Sequence, residues 1–323
     1  MATTDLPRLL VTRKLPQAVE DRLIRTYRAT LNADDHLMTD AEIREAAAQN
    51  DGMLVTSADS FKEEQLRRLP ESVRIIATYS VGQEHIDLAA AKARGFAVTN
   101  TPDVLTTATA DIAMLLILGA ARGAYWGERM MREGRWTSWK PTGPLGYDVS
   151  GRRLGILGLG RIGQAVARRA AGFGMELHYH NRSPVDPKIA QGAVYHETLE
   201  DMLPHCDFLS INSASTPETR GLINARTISL LPDGAIVVNT ARGDIVDDDA
   251  LIAALKSGKL AGAGLDVFRG EPKFDRRYCD LENVFLLPHL GSATYETRIA
   301  MGMRAADNLD AFFAGKQPRD LLT

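Results

Sequence analysis

The chain has 323 residues, of which 45% are apolar and 24% charged, and its formal net charge is −3. This composition is typical of globular proteins, the length favours two domains, and the net charge gives no sign of a nucleic-acid-binding domain. The N-terminus lacks a signal-peptide core, and Ile112 to Ala121 is too short to span a bilayer, so we expect a cytoplasmic protein. Cys206 and Cys279 lack metal-ligand or redox spacing, and no metal site is expected.

Short apolar runs alternate with segments of helical spacing over the first hundred residues. We predict strands at 8–13, 52–55, 74–78 and 97–99, and helices at 16–27, 39–48, 62–69 and 86–94. Thr39 precedes the second of these helices and is its predicted cap. The alternation indicates an α/β domain with a parallel sheet.

The rest of the chain predicts a second, larger α/β domain. Leu105 to Arg122 reads as a buried helix connecting two lobes, and a loop rich in Trp, Gly and Pro follows at 134–146. We predict further strands at 154–157, 177–179, 193–195, 208–212, 235–239, 261–267 and 284–287, with helices between them. The last helix, Tyr295 to Phe313, has no new strand to pack on. We therefore expect a nucleotide domain, 101–289, inserted into a domain formed by 1–100 and 290–323.

Three glycines at the end of the 154–157 strand form a G-x-G-x-x-G motif that opens a helix. Gly158 permits the tight turn, Gly160 lets the backbone approach a pyrophosphate, and Gly163 allows close packing of helix on strand. The free N–H groups of the helix attract phosphate, and Arg161 adds a charge. A turn that serves packing alone is the less favoured alternative.

The second strand of this domain ends in His180-Asn181-Arg182-Ser183. Enzymes selective for NAD usually carry Asp or Glu here to bind the ribose 2′-hydroxyl, whereas a guanidinium can hold the 2′-phosphate of NADP. The sequence therefore favours NADP(H). NAD(H) remains the alternative, with Arg182 an ordinary solvated arginine.

Three polar segments follow predicted strands, and each contributes one chemically distinctive side chain: Arg242, Glu271 and His289. Arginine can hold a carboxylate through two parallel hydrogen bonds, and histidine can deliver a proton near neutral pH while a carboxylate orients its ring. Taken singly, these residues could be a solvated turn, a plain loop and a structural histidine. Together, at strand ends of one sheet, they suit reduction of a 2-oxo acid.

Over nearly its whole length the chain resembles the D-2-hydroxyacid dehydrogenases, and within them the glyoxylate/hydroxypyruvate reductases. The resemblance rests on seven segments: SVGQEHID from Ser80, TPDVLTTATAD from Thr101, LGILGLGRIGQAVARR from Leu154, TPETRGLI from Thr216, NTARGDIVDDDAL from Asn239, AGLDVF from Ala263 and PHLGSAT from Pro288. It implies two Rossmann-like lobes with doubly wound parallel sheets, the outer one flavodoxin-like. Asn212-Ser213-Ala214 departs from the His-Cys-Pro of many relatives.

The resemblance also implies roles for individual residues. Arg242 would bind the substrate carboxylate and carbonyl, His289 would exchange the proton, Glu271 would support it, and the N–H groups of Val81 and Gly82 would help hold the carboxylate. Trp139 would reach into the partner's site of a homodimer. The implied cofactor contacts are Thr109, Gly158, Leu159, Gly160, Arg161, Ile162, Gly163, Asn181, Arg182, Ser183, Ser213, Thr240, Asp266, His289 and Gly291.

The function predicted from the sequence is NADPH-dependent reduction of glyoxylate or hydroxypyruvate to glycolate or D-glycerate. An NAD-linked D-2-hydroxyacid or phosphoglycerate dehydrogenase is the first alternative. A non-catalytic, dinucleotide-sensing corepressor-like protein is the second, and the intact Arg242, Glu271 and His289 argue against it. Neither nucleic acid nor a membrane is an expected partner.

Overall fold

A computed structural model describes residues 6–323 of the chain. By backbone contacts the chain divides into a terminal unit, Met1–Leu105 with Thr294–Thr323, and a central unit, Thr106–Ala293. The strands in the described part are β1 (Arg8–Val11), β2 (Arg28–Thr30), β3 (Gly52–Val55), β4 (Ile75–Thr78), β5 (Ala97–Thr99), β6 (Arg153–Leu157), β7 (Glu176–His180), β8 (Val194–His196), β9 (Phe208–Ile211), β10 (Ala235–Asn239), β11 (Leu260–Leu265) and β12 (Val284–Leu286).

Helices connect these strands in both units. The α-helices are α1 (Gln17–Thr26), α2 (Asp40–Ala47), α3 (Glu63–Arg68), α4 (Leu88–Ala93), α5 (Thr106–Arg122), α6 (Ala124–Arg132), α7 (Arg161–Ala171), α8 (Pro187–Ala190), α9 (Leu199–Met202), α10 (Ala225–Leu230), α11 (Asp248–Ser257) and α12 (Tyr295–Phe313).

The terminal unit is built on a five-stranded parallel sheet with the order β2-β1-β3-β4-β5. This is the flavodoxin-like order, in which the chain reverses direction across the sheet between β1 and β3. Strands β3 and β4 are buried throughout, as strands covered on both faces must be. The C-terminal helix α12 belongs to this unit and packs against α1 and β4.

The central unit contains a seven-stranded parallel sheet with the order β12-β11-β10-β9-β6-β7-β8. Its first strand, β6, lies between β9 and β7, which is the reversal point of a Rossmann sheet. Helix α5 packs on α7 and on strands β10 and β11. The predicted parallel α/β fold with a Rossmann sheet is confirmed.

The candidate membrane spans are limited to one pair of helices. Among residues 6–323 no single helix is long and apolar enough to cross a bilayer. Helices α5 and α6, bent by 70° at their junction, meet the criteria of length and composition only when they are taken together.

The sequence analysis overlooked two elements and misplaced the start of a third. Strand β2 is an exposed three-residue stretch, too short for a period of two to be visible. Helix α6 buries none of its residues fully and follows α5 after Gly123 alone, and ion pairs such as Arg129–Glu133 span its turns. Helix α4 begins at Leu88 rather than near Ile86 because the carboxylate of Asp87 caps it.

Candidate active site

Two loops at the carboxyl ends of β10 and β11 are pressed together in the central unit. The side chain of Asn239 accepts a hydrogen bond from the Ala241 N–H and donates one to the Arg242 carbonyl, both at 2.9 Å, and so fixes the turn that carries Arg242. A Cβ atom on Gly243 would lie 1.9 Å from the carbonyl carbon of Phe268. Only glycine permits this approach, which brings the Arg242 turn beside the loop that carries Glu271.

Glu271 and His289 form a close pair. Oε1 of Glu271 lies 2.6 Å from Nδ1 of His289, and Oε2 accepts a hydrogen bond from the Phe268 N–H at 3.3 Å. Burial alone would raise the pKa of Glu271, but the hydrogen bond and charge of His289, the Phe268 N–H and the charge of Arg242 together lower it. Glu271 therefore favours the carboxylate form, which can accept a hydrogen bond from Nδ1 and so orients the imidazole.

The backbone of His289 is held in an unusual conformation by Asp266. His289 has a φ of 55°, and its N–H donates to the Asp266 carbonyl at 2.9 Å. The two carboxylate oxygens of Asp266 accept from the N–H groups of Leu290 at 2.6 Å and Gly291 at 2.8 Å. Burial raises the pKa of Asp266, although these two N–H groups and the charge of His289 oppose the rise. Asp266 thus positions His289, a role that the sequence analysis did not predict.

Thr109 belongs to the same support. Its hydroxyl is buried and donates to the Gly291 carbonyl at 3.0 Å, which ties α5 to the loop after His289. Both Thr109 and Asp266 therefore stabilise the loop after His289 through hydrogen bonds to its backbone. Their predicted contacts with a cofactor stay predictions.

The glycine motif between β6 and α7 has the steric need that the sequence analysis assigned to it. Gly158 has a φ of 96°, and a Cβ atom there would lie 2.7 Å from the Ser213 nitrogen. A Cβ atom on Gly163 would lie 2.2 Å from the Gly158 carbonyl oxygen. By contrast, a Cβ atom on Gly160 would meet nothing within 4 Å. The fold itself requires the first and third glycines, whereas the second borders open space.

The residues around that space fit a nicotinamide dinucleotide. Within residues 6–323 the N–H groups of Gly160, Ile162 and Gly163 have no hydrogen-bond partner, as expected for the phosphate-binding end of a helix. The buried hydroxyls of Ser213 and Thr240, at the ends of β9 and β10, also lack partners among these residues. Buried polar groups are rarely left unpaired, so these donors indicate a polar ligand at this edge of the sheet.

The predicted 2′-phosphate site divides into two parts. Oδ1 of Asn181 accepts from the Leu159 N–H at 2.7 Å, so this atom braces the glycine turn. Leu159 itself is a core side chain, and its N–H is already engaged. Arg182 and Ser183 are exposed, and the Arg182 charge contributes to a lowered pKa of Glu218, after the hydrogen bond from Thr216. Arg182 and Ser183 remain the residues available to a phosphate there.

Val81, Gly82 and Trp139 are the predicted site residues that lie on other loops of the two units. In the terminal unit the carbonyls of Val81 and Gly82 accept hydrogen bonds from Asn100 and Ser80 at 2.9 and 2.7 Å. Their N–H groups have no partner among residues 6–323, so they can hold a carboxylate. In the central unit Trp139 is 77% exposed on the loop after α6.

Asn239 and Gly243 were overlooked as site residues, although both lie in the segment that was singled out. Their signal was local: an Asn that ends a strand often bonds to the backbone two residues on, and a Gly after a functional side chain often permits close approach.

The chain is similar to known proteins over most of its length. Residues 114–291, more than half of the chain, match the model of the D-isomer specific 2-hydroxyacid dehydrogenase, NAD binding domain. The chain is 46% identical to a glycerate dehydrogenase of Hyphomicrobium methylovorum over 95% of this chain and 96% of the relative. It is 39% identical to a glyoxylate reductase of Pyrococcus horikoshii over 98% and 96% of the two chains.

A solved structure shows the same likeness in three dimensions. The NADPH-dependent glyoxylate/hydroxypyruvate reductase of Sinorhizobium meliloti, in complex with NADP and malonate, is 36% identical and superposes with a TM-score of 0.86. The match covers 98% of this chain and 97% of the other. The chain therefore belongs to the D-2-hydroxyacid dehydrogenase family of oxidoreductases.

Proposed function

We propose that the protein reduces a small 2-oxo acid, glyoxylate or hydroxypyruvate, to glycolate or D-glycerate with NADPH as the hydride donor. The observation that carries this proposal is the Glu271–His289 pair, whose oxygen and nitrogen lie 2.6 Å apart, with the charge of Arg242 acting on the same carboxylate. These groups follow strands of the sheet that also carries the glycine turn. An acid, its orienting carboxylate and an anion-binding guanidinium are the groups that ketone reduction requires.

Each of the three side chains has a distinct task in this proposal. Arg242 holds the substrate carboxylate and polarises the neighbouring carbonyl. His289 protonates the carbonyl oxygen from Nε2 while Glu271 holds Nδ1, which fixes the ring and stabilises the imidazolium. In the reverse direction His289 accepts the hydroxyl proton. The N–H groups of Val81 and Gly82 are proposed as further donors to the carboxylate.

The chain's own residues define how a nicotinamide dinucleotide is held. The N–H groups of Gly160, Ile162 and Gly163 bind the pyrophosphate, and the hydroxyls of Ser213 and Thr240 supply two further hydrogen bonds. The bound cofactor supplies the hydride that adds to the carbonyl carbon. Asp266 and Thr109 keep His289 in place through the loop that ends at Gly291.

The preference for NADPH rests on Arg182 and Ser183. Both are exposed beside the glycine turn, and the position that carries Asp or Glu in enzymes selective for NAD has neither. The relative from S. meliloti is described as NADPH-dependent. Initial rates with NADPH and NADH test this preference. In Arg182→Gln we expect kcat/KM for NADPH to fall about tenfold or more while that for NADH holds; a wild-type preference for NADH would contradict the proposal.

The choice of substrate rests on the relatives. A glycerate dehydrogenase and a glyoxylate reductase act on substrates of two or three carbons, and we propose the same size here. A steady-state comparison of glyoxylate, hydroxypyruvate, pyruvate and longer 2-oxo acids tests it. Higher kcat/KM for a phosphorylated or longer acid would favour the phosphoglycerate dehydrogenase alternative.

We also propose that the protein is a cytoplasmic homodimer that engages neither nucleic acid nor a membrane. The loop after α6 exposes Trp136, Trp139 and Leu145 at 57%, 77% and 74%, an apolar surface that association would cover. Sedimentation velocity of the wild type and of Trp139→Ala tests the dimer. A wild-type monomer at micromolar concentration would contradict it.

A further inference from the structure

The terminal unit has a cavity of its own at the carboxyl edge of its sheet. The cavity has a volume of about 290 Å³ and is formed by the segments after β1 and β3, together with Tyr79 and Arg298. Pockets that bind small molecules have volumes of about 300 Å³ or more, so this cavity suits a small molecule rather than a single water.

The topology of the sheet makes this position significant. In the order β2-β1-β3-β4-β5 the chain leaves β1 in one direction and β3 in the other, so a crevice opens between their carboxyl ends. Open α/β sheets bind ligands in this crevice. Arg13 and Lys14 follow β1, and Thr56 and Ser57 follow β3, so both sides of the crevice contribute to the cavity wall.

The wall of the cavity carries an excess of positive charge. It contains three cationic side chains, Arg13, Lys14 and Arg298, and one carboxylate, Asp35. Nε of Arg13 lies 2.8 Å from Oδ1 of Asp35, so these two charges offset each other. Lys14 and Arg298 have no ion-pair partner within 4 Å among residues 6–323, although the charge of Lys14 also acts on Asp35. Two cations therefore face an open crevice, an arrangement that attracts a doubly charged anion.

Most of the other polar groups nearby are already engaged. The Leu15 N–H donates to the buried carboxylate of Glu20 at 2.9 Å, so an acidic side chain of the protein itself occupies the start of α1. Asp59 is buried, and its Oδ2 accepts from Thr12 and Thr56, whereas its Oδ1 has no partner among residues 6–323 and its charge acts on Arg13. The hydroxyl of Tyr79, whose pKa is raised by burial to about 12, donates to the Arg298 carbonyl and fixes the start of α12. Binding thus depends on side-chain cations rather than on a helix end.

We propose that this cavity binds a phosphate group, as the free ion or as the monoester of a small molecule. Lys14 and Arg298 supply the charge, Arg298 can bind two phosphate oxygens at once, and the hydroxyl of Ser57 completes the shell, whereas the Thr56 hydroxyl already donates to Asp59. All of these residues belong to the terminal unit. The proposal is therefore independent of the reaction proposed above and goes beyond it.

Isothermal titration of the full chain with inorganic phosphate and with glycerol 3-phosphate tests the site. Saturating NADP⁺ is present in every titration so that a dinucleotide site in the central unit cannot take the probe. We expect saturable binding with one phosphate per chain. Tighter binding of the ester would identify a phosphorylated molecule as the ligand, and equal or weaker binding would identify the free ion.

Two variants of opposite expected effect keep the test decisive. Lys14→Gln with Arg298→Gln should weaken phosphate binding about tenfold or more, because it removes both unpaired cations. Asp35→Asn should tighten binding, because it releases Arg13 from its partner. Arg67→Gln with Lys92→Gln changes the same charge at exposed positions of the same unit and is the matched control.

Three results would overturn the proposal. The first is no saturable binding of phosphate to the wild type, and the second is an equal weakening of binding in the Arg67→Gln, Lys92→Gln control. The third is unchanged binding both in Asp35→Asn and in the Lys14→Gln, Arg298→Gln variant. The thermal unfolding temperature of each variant shows whether the fold is retained. If the Lys14 and Arg298 variant does not fold, the Asp35→Asn result alone decides.

Discussion

In each unit a turn connects the first strand of a parallel sheet to the helix that follows it, and the two turns differ in the groups that they offer to a ligand. In the central unit the turn after β6 contains Gly158 and Gly160, and the N–H groups of Gly160, Ile162 and Gly163 have no partner among residues 6–323. In the terminal unit the turn after β1 reads Arg13-Lys14-Leu15-Pro16. There a proline removes one N–H donor and the carboxylate of Glu20 occupies another.

The comparison shows that the fold determines where a ligand can bind, whereas the residues of the turn determine which ligand is bound. Both crevices lie at the carboxyl edge of a sheet at its reversal point. Backbone donors without side chains suit an extended pyrophosphate that must approach closely, whereas cationic side chains suit a compact anion. The central unit adds the close pair of Glu271 and His289 beside the Arg242 turn, so we expect the chemistry there.

The largest effect that separates the units is expected from His289→Asn. Without the imidazole no group delivers the proton, and kcat should fall by about 100-fold or more. The dissociation constant of the cofactor, measured by fluorescence titration, should change little, because the glycine turn is untouched. Phosphate binding in the terminal unit should also be unchanged. Unaltered turnover would remove His289 from the reaction.

Gly160→Ala tests whether the glycine turn serves a ligand or only packing. The added methyl group meets no protein atom within 4 Å and the backbone φ is −77°, so the unfolding temperature should hold. Cofactor affinity should drop about tenfold or more, since the methyl group enters the space assigned to the pyrophosphate.

Gly127→Ala is the matched control, because that glycine also faces open space in the central unit. Equal cofactor affinity in Gly160→Ala and in the control would mean that the turn exists for packing alone. The comparison between the two turns would then lose its functional meaning.

Much of the fold and of the candidate site could be predicted from the sequence because the relevant signals are local. The spacing of Gly158, Gly160 and Gly163 is a backbone requirement within six residues, and the capping box of Thr39 with Glu42 spans four. Arg242, Glu271 and His289 were found because each follows an apolar strand, and parallel strands end at one edge.

The remaining features depend on contacts between distant segments. That Asp266 bonds to the backbone after His289 follows from where β11 and the end of β12 meet, across more than twenty residues. The close approach of Gly243 to Phe268 is likewise a packing fact. The charged crevice of the terminal unit was not predicted from the sequence, because Arg13, Lys14 and Arg298, each considered alone, are typical of solvated surface residues.

Asp266→Asn distinguishes a positioning role from a cofactor contact. One of the N–H groups of Leu290 and Gly291 would then face an amide nitrogen, so the φ of 55° at His289 would lose part of its support. We expect kcat to fall about tenfold, with KM for the cofactor nearly constant and an altered pH dependence of kcat/KM. A rise in the cofactor KM with unchanged kcat would instead support the contact with nicotinamide predicted from the sequence.

The smallest effect concerns how the two units respond to acid. In the central unit the rings of His178, His196 and His205 lie in mutual contact, and burial lowers the pKa of His178 and His196, with Glu176 opposing the effect at His178. In the terminal unit Arg8 and Arg304 hold the pKa of Asp51 and Asp320 below 3.8, although burial opposes them.

Linkage then sets two pH windows for the free energy of unfolding. A histidine with a lowered folded pKa binds more protons when unfolded, so its stabilisation is present above pH 6.5 and is lost as the pH falls below it. The two carboxylates lose theirs only below about pH 4. Between pH 8 and 5 the free energy of unfolding of the wild type, measured by urea titration, should therefore fall, by at most about 1.4 kcal/mol for each unit of pKa difference. His178→Gln should flatten this fall, whereas His36→Gln, at an exposed site of the terminal unit, should not. The same slope in both variants would show that the imidazole cluster does not make the central unit the more acid-sensitive of the two.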